Sequence, residues 1–453
     1  MSPNPPHQPS PEEIDALLAK ASQPAQDAVF LHEYYRGKMS TLPKCPVEQI
    51  DDFSIWYTPG VAAPCHEIAQ HPERVYDLTN KGNLIAVISD GSRVLGLGDI
   101  GPEAGLPVME GKAMLFKYLG GVDAIPIMLE NSDPQAFIDT VLRLQPGFGG
   151  INLEDISQPK CFEILDRLRQ KARIPIWHDD QQGTATVTLA GLMNALKLVG
   201  KDRGDIRITF IGSGAAGVAC SRLIFAWGVD PAKATMVDIR GILGKHRKDF
   251  PKDSPQYQLC QITNQEGREG GIEAAMQGAD VVISYSQPGP GVILPEWVQG
   301  MAADPIVFAC ANPIPEIWPW EAKSAGAAVV ATGRSDFSNQ VNNSLSFPGI
   351  FRGVLDVRAS TITDEMCFSA AEALAEAVGD ALDPDHILPR MMDMEIYPLQ
   401  AAAVGLKAQE QGIADLALSR DELLNRAEFM IGQAQSSTDV LMEEKCIPPF
   451  PEN

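Results

Sequence analysis

Residues 207–220 read RITFIGSGAAGVAC, and this stretch decides the fold. Its apolar start predicts a strand, and the apolar residues 218–227 that follow predict a helix. Between them lies a GxGxxG motif, whose glycines permit a tight turn and let the backbone approach a pyrophosphate. The free N–H groups at the start of the helix would favour that anion. We therefore predict a Rossmann-type unit with a dinucleotide bound at Gly212, Ser213, Gly214, Ala215, Ala216 and Gly217.

A second predicted strand, 233–237, leads to Asp238, where such units carry the acid that binds the adenine ribose. A carboxylate there would repel the 2′-phosphate of NADP, so we predict NAD. A nearby basic group favours NADP instead, because its side chains could bind the 2′-phosphate if they point toward the cofactor. Its members are Arg240, Lys245, His246, Arg247 and Lys248. A glycine-rich turn without any ligand is the alternative for the loop as a whole.

Predicted strands and helices alternate along the rest of the chain, which indicates an α/β fold with mostly parallel sheets. Helical segments return after residue 342. The predicted strands are 84–89, 124–129, 150–153 and 174–177, then 207–211, 233–237, 281–284, 306–310 and 328–331. The main predicted helices are 133–144, 159–171, 184–198, 363–378, 398–411 and 420–434.

The pattern divides the chain into four parts. Residues 1–30 form an N-terminal arm with a short helix near 11–21, and 31–190 form an α/β domain for substrate and metal. Residues 191–340 form the Rossmann domain, and 341–453 form a helical segment that we expect to pack back on the first domain.

The bulk composition restricts the partners and the compartment. The 453 residues carry a formal net charge of −23, which argues against nucleic acid or an anionic membrane as a partner. No apolar run approaches the roughly 20 residues of a membrane-spanning helix, and the proline-rich start has no signal region. Eight cysteines lie scattered without a CxxC pair, which is typical of thiols in a reducing compartment. The simplest location is the cytoplasm.

Two acidic pairs follow predicted strands: Glu154-Asp155 and Asp179-Asp180. The carboxyl ends of parallel strands are where open α/β sheets bind ligands. Gathered carboxylates repel one another and need a cation, and ligation by oxygen alone favours Mg²⁺ or Mn²⁺. The alternatives are solvated loops and, for Asp180, a helix N-cap.

Five further residues are candidates by chemistry, and each has an ordinary alternative. Tyr57 beside Pro-Gly could simply pack, and Arg93 in a glycine-rich loop could pair with a neighbouring aspartate rather than with a substrate carboxylate. Lys112 begins an apolar stretch, where burial would lower its pKa and make it a possible base, although most lysines reach water. Asn312 and Asn343 could bind a substrate or serve turns.

Taken together, these segments resemble the malic enzyme family in its short prokaryotic, NAD-dependent form, from about residue 31 to 434. The longer form's additional C-terminal domain is not expected. The matching stretches are WYTPGVAAPC, ISDGSRVLGLGDIG, PVMEGKAMLFK, INLEDIS, HDDQQGTA, FIGSGAAG and NNSLSFPGIFRG. Two departures are Ser213 in the glycine loop and the run SYSQPG at 284–289, where the family usually has small residues near the nicotinamide.

The resemblance implies roles for the candidate residues. Tyr57 falls on the general acid, Lys112 on the general base and Asp179 on the acid that supports this lysine. The metal ligands are implied to be Glu154, Asp155 and Asp180. Substrate contacts are implied for Arg93, Asn312 and Asn343, with Asn312 also beside the cofactor.

The reaction implied by the resemblance is the oxidative decarboxylation of malate to pyruvate and CO₂, with a nicotinamide cofactor and Mg²⁺ or Mn²⁺, in a homo-oligomer that is most simply a dimer. One rival is a malolactic enzyme, which retains NAD and releases lactate. Another is a non-catalytic dinucleotide sensor, which would be free to lose residues such as Lys112 and Tyr57, yet both are present.

Overall fold

The computed structural model describes residues 10–94, 96–130 and 133–451. Positions 1–9 of the predicted arm lie outside the described residues. Within the described residues, none of the helices combines the length and the apolar character needed to cross a bilayer.

The chain starts with helices that precede the first sheet: α1 (Pro11–Tyr35), α2 (Phe53–Trp56), α3 (Ala62–Gln70) and α4 (Val75–Leu78). Ser10 caps α1, because its Oγ accepts from the Glu13 N–H at 3.2 Å while the Glu13 carboxylate accepts from the Ser10 N–H at 2.7 Å. The predicted short helix at 11–21 is wrong in length. The capped helix continues past Pro24 and stops at Arg36, whose left-handed backbone precedes Gly37.

The first sheet is fully parallel, with the order β2-β1-β3-β4. Its register pairs Ile88 with Leu153 and Leu153 with His178, so three strands end at nearly the same level. The strands are β1 (Leu84–Ser89), β2 (Asp123–Met128), β3 (Gly150–Leu153) and β4 (Ile176–His178), and the helices between them are α5 (Pro102–Gly120), α6 (Pro134–Leu144) and α7 (Lys160–Lys171).

Helix α8 (Thr184–Val199) leads into the second sheet, which has the order β10-β9-β8-β5-β6-β7 and is parallel except for β7. The order reverses between β5 and β8, which is the switch point where such sheets bind ligands. The strands are β5 (Ile208–Ile211), β6 (Ala234–Asp238), β7 (Gly241–Ile242), β8 (Val281–Ser284), β9 (Ile306–Ala309) and β10 (Val329–Thr332). The helices are α9 (Ala215–Trp227), α10 (Pro255–Ile262), α11 (Ile272–Met276), α12 (Pro295–Gln299) and α13 (Pro319–Ser324).

Four helices follow the second sheet, and the first and last of them contact α5 of the first sheet. The Phe116 ring lies 4.5 Å from Phe347 and 5.2 Å from Phe351 between centroids. Gly121, at φ +61°, allows the backbone at Met430 to approach so closely that a Cβ would meet it at 2.6 Å. These helices are α14 (Phe347–Asp356), α15 (Asp364–Ala377), α16 (Ile396–Glu410) and α17 (Arg420–Glu443).

The prediction of an α/β fold with a Rossmann-type unit and a helical C-terminal region is confirmed. The predicted strands 84–89, 150–153 and 281–284 match the structure, and the other strands shift by one or two residues. The last helix is longer than predicted and ends at Glu443. The division at 31–190, 191–340 and 341–453 stays a prediction.

A buried ion pair ties the C-terminal helices to the first sheet. Arg352 donates to Asp356 from Nε at 3.0 Å and Nη2 at 2.8 Å, and its Nη1 donates to the Asn83 side chain at 2.6 Å. Asp356 is fully buried, and it also forms an ion pair with Arg426, whose Nε lies 2.8 Å from Oδ1 and whose side chain is 45% exposed.

We expect Asp356→Ala to lower the free energy of unfolding by about 3–5 kcal/mol, because Arg352 would remain buried without its carboxylate. Arg426→Ala is the control and should cost at most about 1 kcal/mol, since this arginine reaches water. Denaturant unfolding measures both changes. Equal losses in the two variants would contradict this account of the pair.

Candidate active site

Acidic side chains converge where β3 and β4 end. Because Leu153 and His178 are register partners, Glu154-Asp155 and Asp179-Asp180 leave the sheet side by side. One carboxylate oxygen from each of Glu154, Asp155 and Asp180 lies within 4.8 Å of the others. The first two residues are buried and Asp180 is partly exposed. The pairs that were separate in the sequence therefore form one cluster.

The donor set fits a hard divalent cation. Three carboxylates offer only oxygen, and ligands at about 2.0–2.6 Å from a shared ion can span the observed separation. Burial raises the pKa of Glu154 well above its ordinary value, and the neighbouring acids Asp180, Asp179 and Asp155 add to this, while Lys112 opposes it. A cation would relieve the repulsion that the fold has concentrated here.

Lys112 of α5 reaches into the same cluster. Its Nζ lies 2.6 Å from Asp179 Oδ2, 3.0 Å from Glu154 Oε1 and 4.4 Å from the centroid of the Phe347 ring. Burial alone would lower the pKa of Lys112, but Asp179 and Glu154 outweigh it, so the pKa is raised above its ordinary value. The predicted lowering of this pKa is therefore wrong, because the surrounding carboxylates favour the ammonium.

Asp179 is fully buried and fixed from several sides. Its Oδ1 accepts from Trp177 Nε1 at 3.0 Å, and its Oδ2 accepts from Asn343 Nδ2 and Lys112 Nζ, each at 2.6 Å. Burial raises the pKa of Asp179, while Lys112 and the Trp177 hydrogen bond act in the opposite direction. Asn343 therefore contacts the site through Asp179, which also accepts from Lys112.

A π-helical turn, Asp179–Gly183, carries both aspartates between β4 and α8. Such turns recur at functional sites. Asp180 does not cap α8, and its Oδ2 instead accepts from the Asp155 N–H at 2.9 Å. A Cβ on Gly183 would lie 2.0 Å from Asp179 Oδ1, so a side chain there would have to displace the Asp179 carboxylate.

The loop after β1 brings Arg93 to the edge of the cluster. Its backbone N–H donates to the Asp155 carbonyl at 3.0 Å, and the residue is exposed. Asp90 is paired with Lys160 and accepts from the Ser92 hydroxyl at 2.5 Å, so the neighbouring acid is already engaged elsewhere.

The glycine loop follows β5, as predicted. Gly212 has φ +103°, and a Cβ there would meet the Tyr285 carbonyl oxygen at 2.4 Å, while one on Gly217 would meet the Gly212 carbonyl at 2.1 Å. Gly214 is the N-cap residue of α9 and offers no side-chain cap, which leaves the first N–H groups of α9 to a ligand. The side-chain amide of Gln158, which lies between β3 and α7 of the first sheet, is 4.0 Å from a Cβ built on Gly214. The loop thus faces the carboxylate edge.

Asn312 lies beyond β9 and is exposed, before a cis bond to Pro313. Its carbonyl oxygen lies 3.9 Å from a Cβ built on Gly96, which belongs to the loop of Arg93. Asp238 ends β6 and is held by Arg247, whose Nη1 and Nη2 each donate to one carboxylate oxygen at 2.9 Å. This arginine of the basic group therefore points inward.

Tyr57 is not brought to the cluster. It follows α2, and 69% of the residue is exposed. Its backbone N–H donates to Phe53 and its carbonyl accepts from Val61, and within the described part of the chain no contact joins it to Lys112 or the acids.

Sequence reasoning missed three buried residues around the acids. Trp177 holds Asp179, and Asn152 donates to Glu154 Oε2 at 2.8 Å. His178 is fully buried with Nδ1 3.6 Å from Asp180 Oδ2, and burial lowers its pKa despite the opposing charge of Asp180. The sequence feature that could have identified these three residues is their position next to the acidic pairs.

Comparisons with known proteins identify the family. Residues 36–169 match the family model for the N-terminal domain of malic enzyme, and residues 181–408 match the model for its NAD-binding domain. The chain belongs to the malic enzyme family.

Three malic enzyme relatives bear different names. A bifunctional malic/malolactic enzyme of Bacillus subtilis is 47% identical over 88% of this chain and 97% of its own length. An NAD-dependent malic enzyme of Geobacillus stearothermophilus is 49% identical over 83% and 78%. An NADP-dependent malic enzyme of Halomonas elongata is 44% identical over 83% and 92%. The family therefore establishes a nicotinamide cofactor, and both cofactor types occur among these relatives.

The structure resembles a crystal structure of malic enzyme from Entamoeba histolytica with a TM-score of 0.92. The two are 46% identical, and the match covers 98% of this chain and 93% of the other. The malic enzyme fold thus extends over nearly the whole molecule.

Gly183→Ala tests the fixed position of Asp179. Because the carboxylate is anchored by three donors, the added Cβ must displace it, and we expect kcat for malate oxidation to fall about a hundredfold. Gly111→Ala is the control. A Cβ there meets nothing within 4 Å, and alanine should stabilise α5 by about 0.5–1 kcal/mol without loss of activity. Similar kcat values in both variants would contradict the role given to the turn.

Proposed function

We propose that the protein oxidises and decarboxylates malate to pyruvate and CO₂, with NAD as the electron acceptor and Mg²⁺ or Mn²⁺ as a required metal. The observation that carries the proposal is the position of Lys112 Nζ, 2.6 Å from Asp179 and 3.0 Å from Glu154 at the edge of a carboxylate cluster. A base beside a cation site is what a 2-hydroxy acid needs for oxidation.

Glu154, Asp155 and Asp180 would hold the metal. When bound, it supplies Lewis acidity and cancels part of the negative charge that now favours the protonated form of Lys112. The buried position of the first two ligands supports strong electrostatic action, because little water screens them.

In this proposal the neutral Lys112 accepts the proton of the C2 hydroxyl as malate is oxidised. Asp179 orients Nζ and stabilises the ammonium that forms. The glycine loop would hold the pyrophosphate of the dinucleotide, whose oxidised nicotinamide, when bound, would take up the two electrons as a hydride from C2. The bond between C3 and C4 then breaks as CO₂ leaves, and Tyr57 donates a proton to C3 to give pyruvate.

Arg93, Asn312 and Asn343 would orient the substrate. Arg93 is exposed beside the Asp155 backbone, so its guanidinium is free to reach a carboxylate in the cleft. Asn343 already contacts Asp179, and Asn312 stands opposite on the side of the second sheet. This arrangement supports substrate binding between the two sheets.

We further propose that the active protein is a homodimer in which the partner's copy of the Tyr57 segment completes the site. The segment exposes an unusual group of large apolar side chains, which a second copy would cover: Leu42, Val47, Ile50, Phe53, Ile55 and Trp56, each at least 46% exposed. Tyr57 belongs to this surface.

NAD is the proposed cofactor because Asp238 stands at the end of β6, where its carboxylate can accept from ribose hydroxyls and repel a 2′-phosphate. A reducing compartment such as the cytoplasm is proposed from the cysteines, all eight of which are free.

A second candidate is malolactic activity, favoured by the name of the Bacillus subtilis relative. Both reactions share the decarboxylation, and they differ in whether pyruvate is released or reduced to lactate. Product analysis with malate, Mn²⁺ and each cofactor separates them. Pyruvate with stoichiometric NADH supports the first proposal, and lactate without net NADH supports the second.

The metal assignment predicts that Asp180→Ala loses Mn²⁺ binding and malate oxidation, while NAD binding persists. Calorimetric titration with Mn²⁺ reads the site without turnover. Asp166→Ala, an acid on α7 outside the cluster, is the control and should bind Mn²⁺ as the unaltered protein does. Full activity after exhaustive chelation would refute metal dependence.

The shared site predicts complementation between two inactive variants. In mixtures of Tyr57→Phe and Lys112→Ala, half of the sites in a mixed dimer would pair an intact tyrosine with an intact lysine. An equal mixture that has exchanged subunits should regain about a quarter of the normal activity. No recovery, with exchange verified by mass spectrometry of tagged chains, would mean that both residues act within one chain.

A further inference from the structure

Asp238, the acid that ends β6, pairs with Arg247, whose side chain is largely buried. Arg247 donates to Asp238 Oδ1 and Oδ2 at 2.9 Å each, and its side chain is only 9% exposed. Its guanidinium carbon also lies 4.9 Å from the centroid of the Phe250 ring. A positive charge is therefore fixed close to the position where the 2′-oxygen of an adenine ribose would bind.

Asp249 occupies the rest of that guanidinium. Arg247 Nε donates to Asp249 Oδ1 and Nη2 to Oδ2, both at 2.7 Å, and Nη1 also donates to the Gly241 carbonyl at 3.2 Å. A guanidinium has five N–H donors, and these contacts together with the two to Asp238 use all five. Arg247 has no donor left for a phosphate.

Asp249 engages a second arginine as well. Arg240 Nη1 donates to Asp249 Oδ2 at 3.1 Å, although the Arg240 side chain is 68% exposed. Hydrogen bonds from Arg247 and the charges of both arginines hold the pKa of Asp249 well below its ordinary value, so it is a carboxylate at neutral pH. One exposed acid thus restrains the two arginines nearest to Asp238.

We propose that Asp249 is a specificity-determining residue, which keeps Arg247 and Arg240 from binding the 2′-phosphate of NADP and so maintains the preference for NAD. This inference rests on the proposed dinucleotide site at Asp238. Asp238 accepts three hydrogen bonds, from Arg240 N and the two Arg247 nitrogens. A carboxylate has about four lone-pair sites, so one remains for a ribose hydroxyl.

Only the loss of Asp249 frees cationic donors while the Asp238–Arg247 pair persists. Loss of Asp238 would remove the ribose acceptor together with the anchor of the arginine, and loss of Arg247 would remove the cation itself. Without Asp249, the Nε and one Nη2 proton of Arg247 become available, and Arg240 is released. Both arginines could then contact a 2′-phosphate in bidentate fashion.

The test compares Asp249→Ala with Asp253→Ala, which removes the same charge from an exposed position in the same loop. Calorimetry measures the affinities for ADP-ribose and for its 2′-phosphorylated form. In Asp249→Ala the ratio of the two affinities should shift about tenfold toward the phosphorylated ligand, or about 1.4 kcal/mol. Asp253→Ala should leave the ratio unchanged. In turnover, the shift should appear as a lower KM for NADP rather than a higher kcat.

An unchanged ratio in Asp249→Ala, or an equal shift in both variants, would overturn the proposal, the latter because it would report net charge alone. Asp249→Asn should give an intermediate ratio, since its amide oxygen can keep one contact with Arg247. If the unaltered protein binds ADP-ribose but does not oxidise malate, the proposed reaction fails and the ratio still tests Asp249. If it binds neither nucleotide, the site at Asp238 is wrong and the proposal fails with it.

Discussion

Concentrated negative charge is the constraint on which the active site depends. Parallel register brings four carboxylates, Glu154, Asp155, Asp179 and Asp180, to one edge of the first sheet, and Lys112 faces them. Carboxylates that could separate in water are held together because each follows a buried strand. Lys112 compensates part of this charge, and the rest makes the edge a strong site for a divalent cation.

The second sheet also gathers charged side chains at the end of a strand, but there acids and arginines offset one another. Arg247 lies between Asp238 and Asp249, so two acids share one guanidinium and Arg247 keeps no donor for a phosphate. In the first sheet the acids outnumber the cations, and this excess of negative charge favours the binding of a metal ion. In the second, the charges are closely matched at the same position relative to the strand ends, which leaves a surface suited to neutral hydroxyls. The two halves of the cleft therefore differ in charge more than in architecture.

Much of the fold was predictable from the sequence because buried parallel strands are short apolar runs that end at polar or glycine residues, as at 84–89, 150–153 and 281–284. The two acidic pairs were identifiable for the same reason. Their convergence depended on register, which no local pattern encodes. The pKa of Lys112 was predicted in the wrong direction, since that prediction weighed burial alone and left out the charges of Asp179 and Glu154. Likewise, nothing in the basic group distinguished Arg247 from its exposed neighbours.

The length of the π-helical turn Asp179–Gly183 constrains the positions of both aspartates. Adjacent aspartates leave β4 in different directions, one toward Lys112 and one toward the Asp155 backbone. The turn places the two carboxylates in these positions, and the absence of a Cβ on Gly183 leaves room for the Asp179 carboxylate. Insertion or deletion of one residue would rotate both carboxylates away from their partners while every side chain remained present. The length of the segment therefore fixes the geometry of the site as much as its composition does.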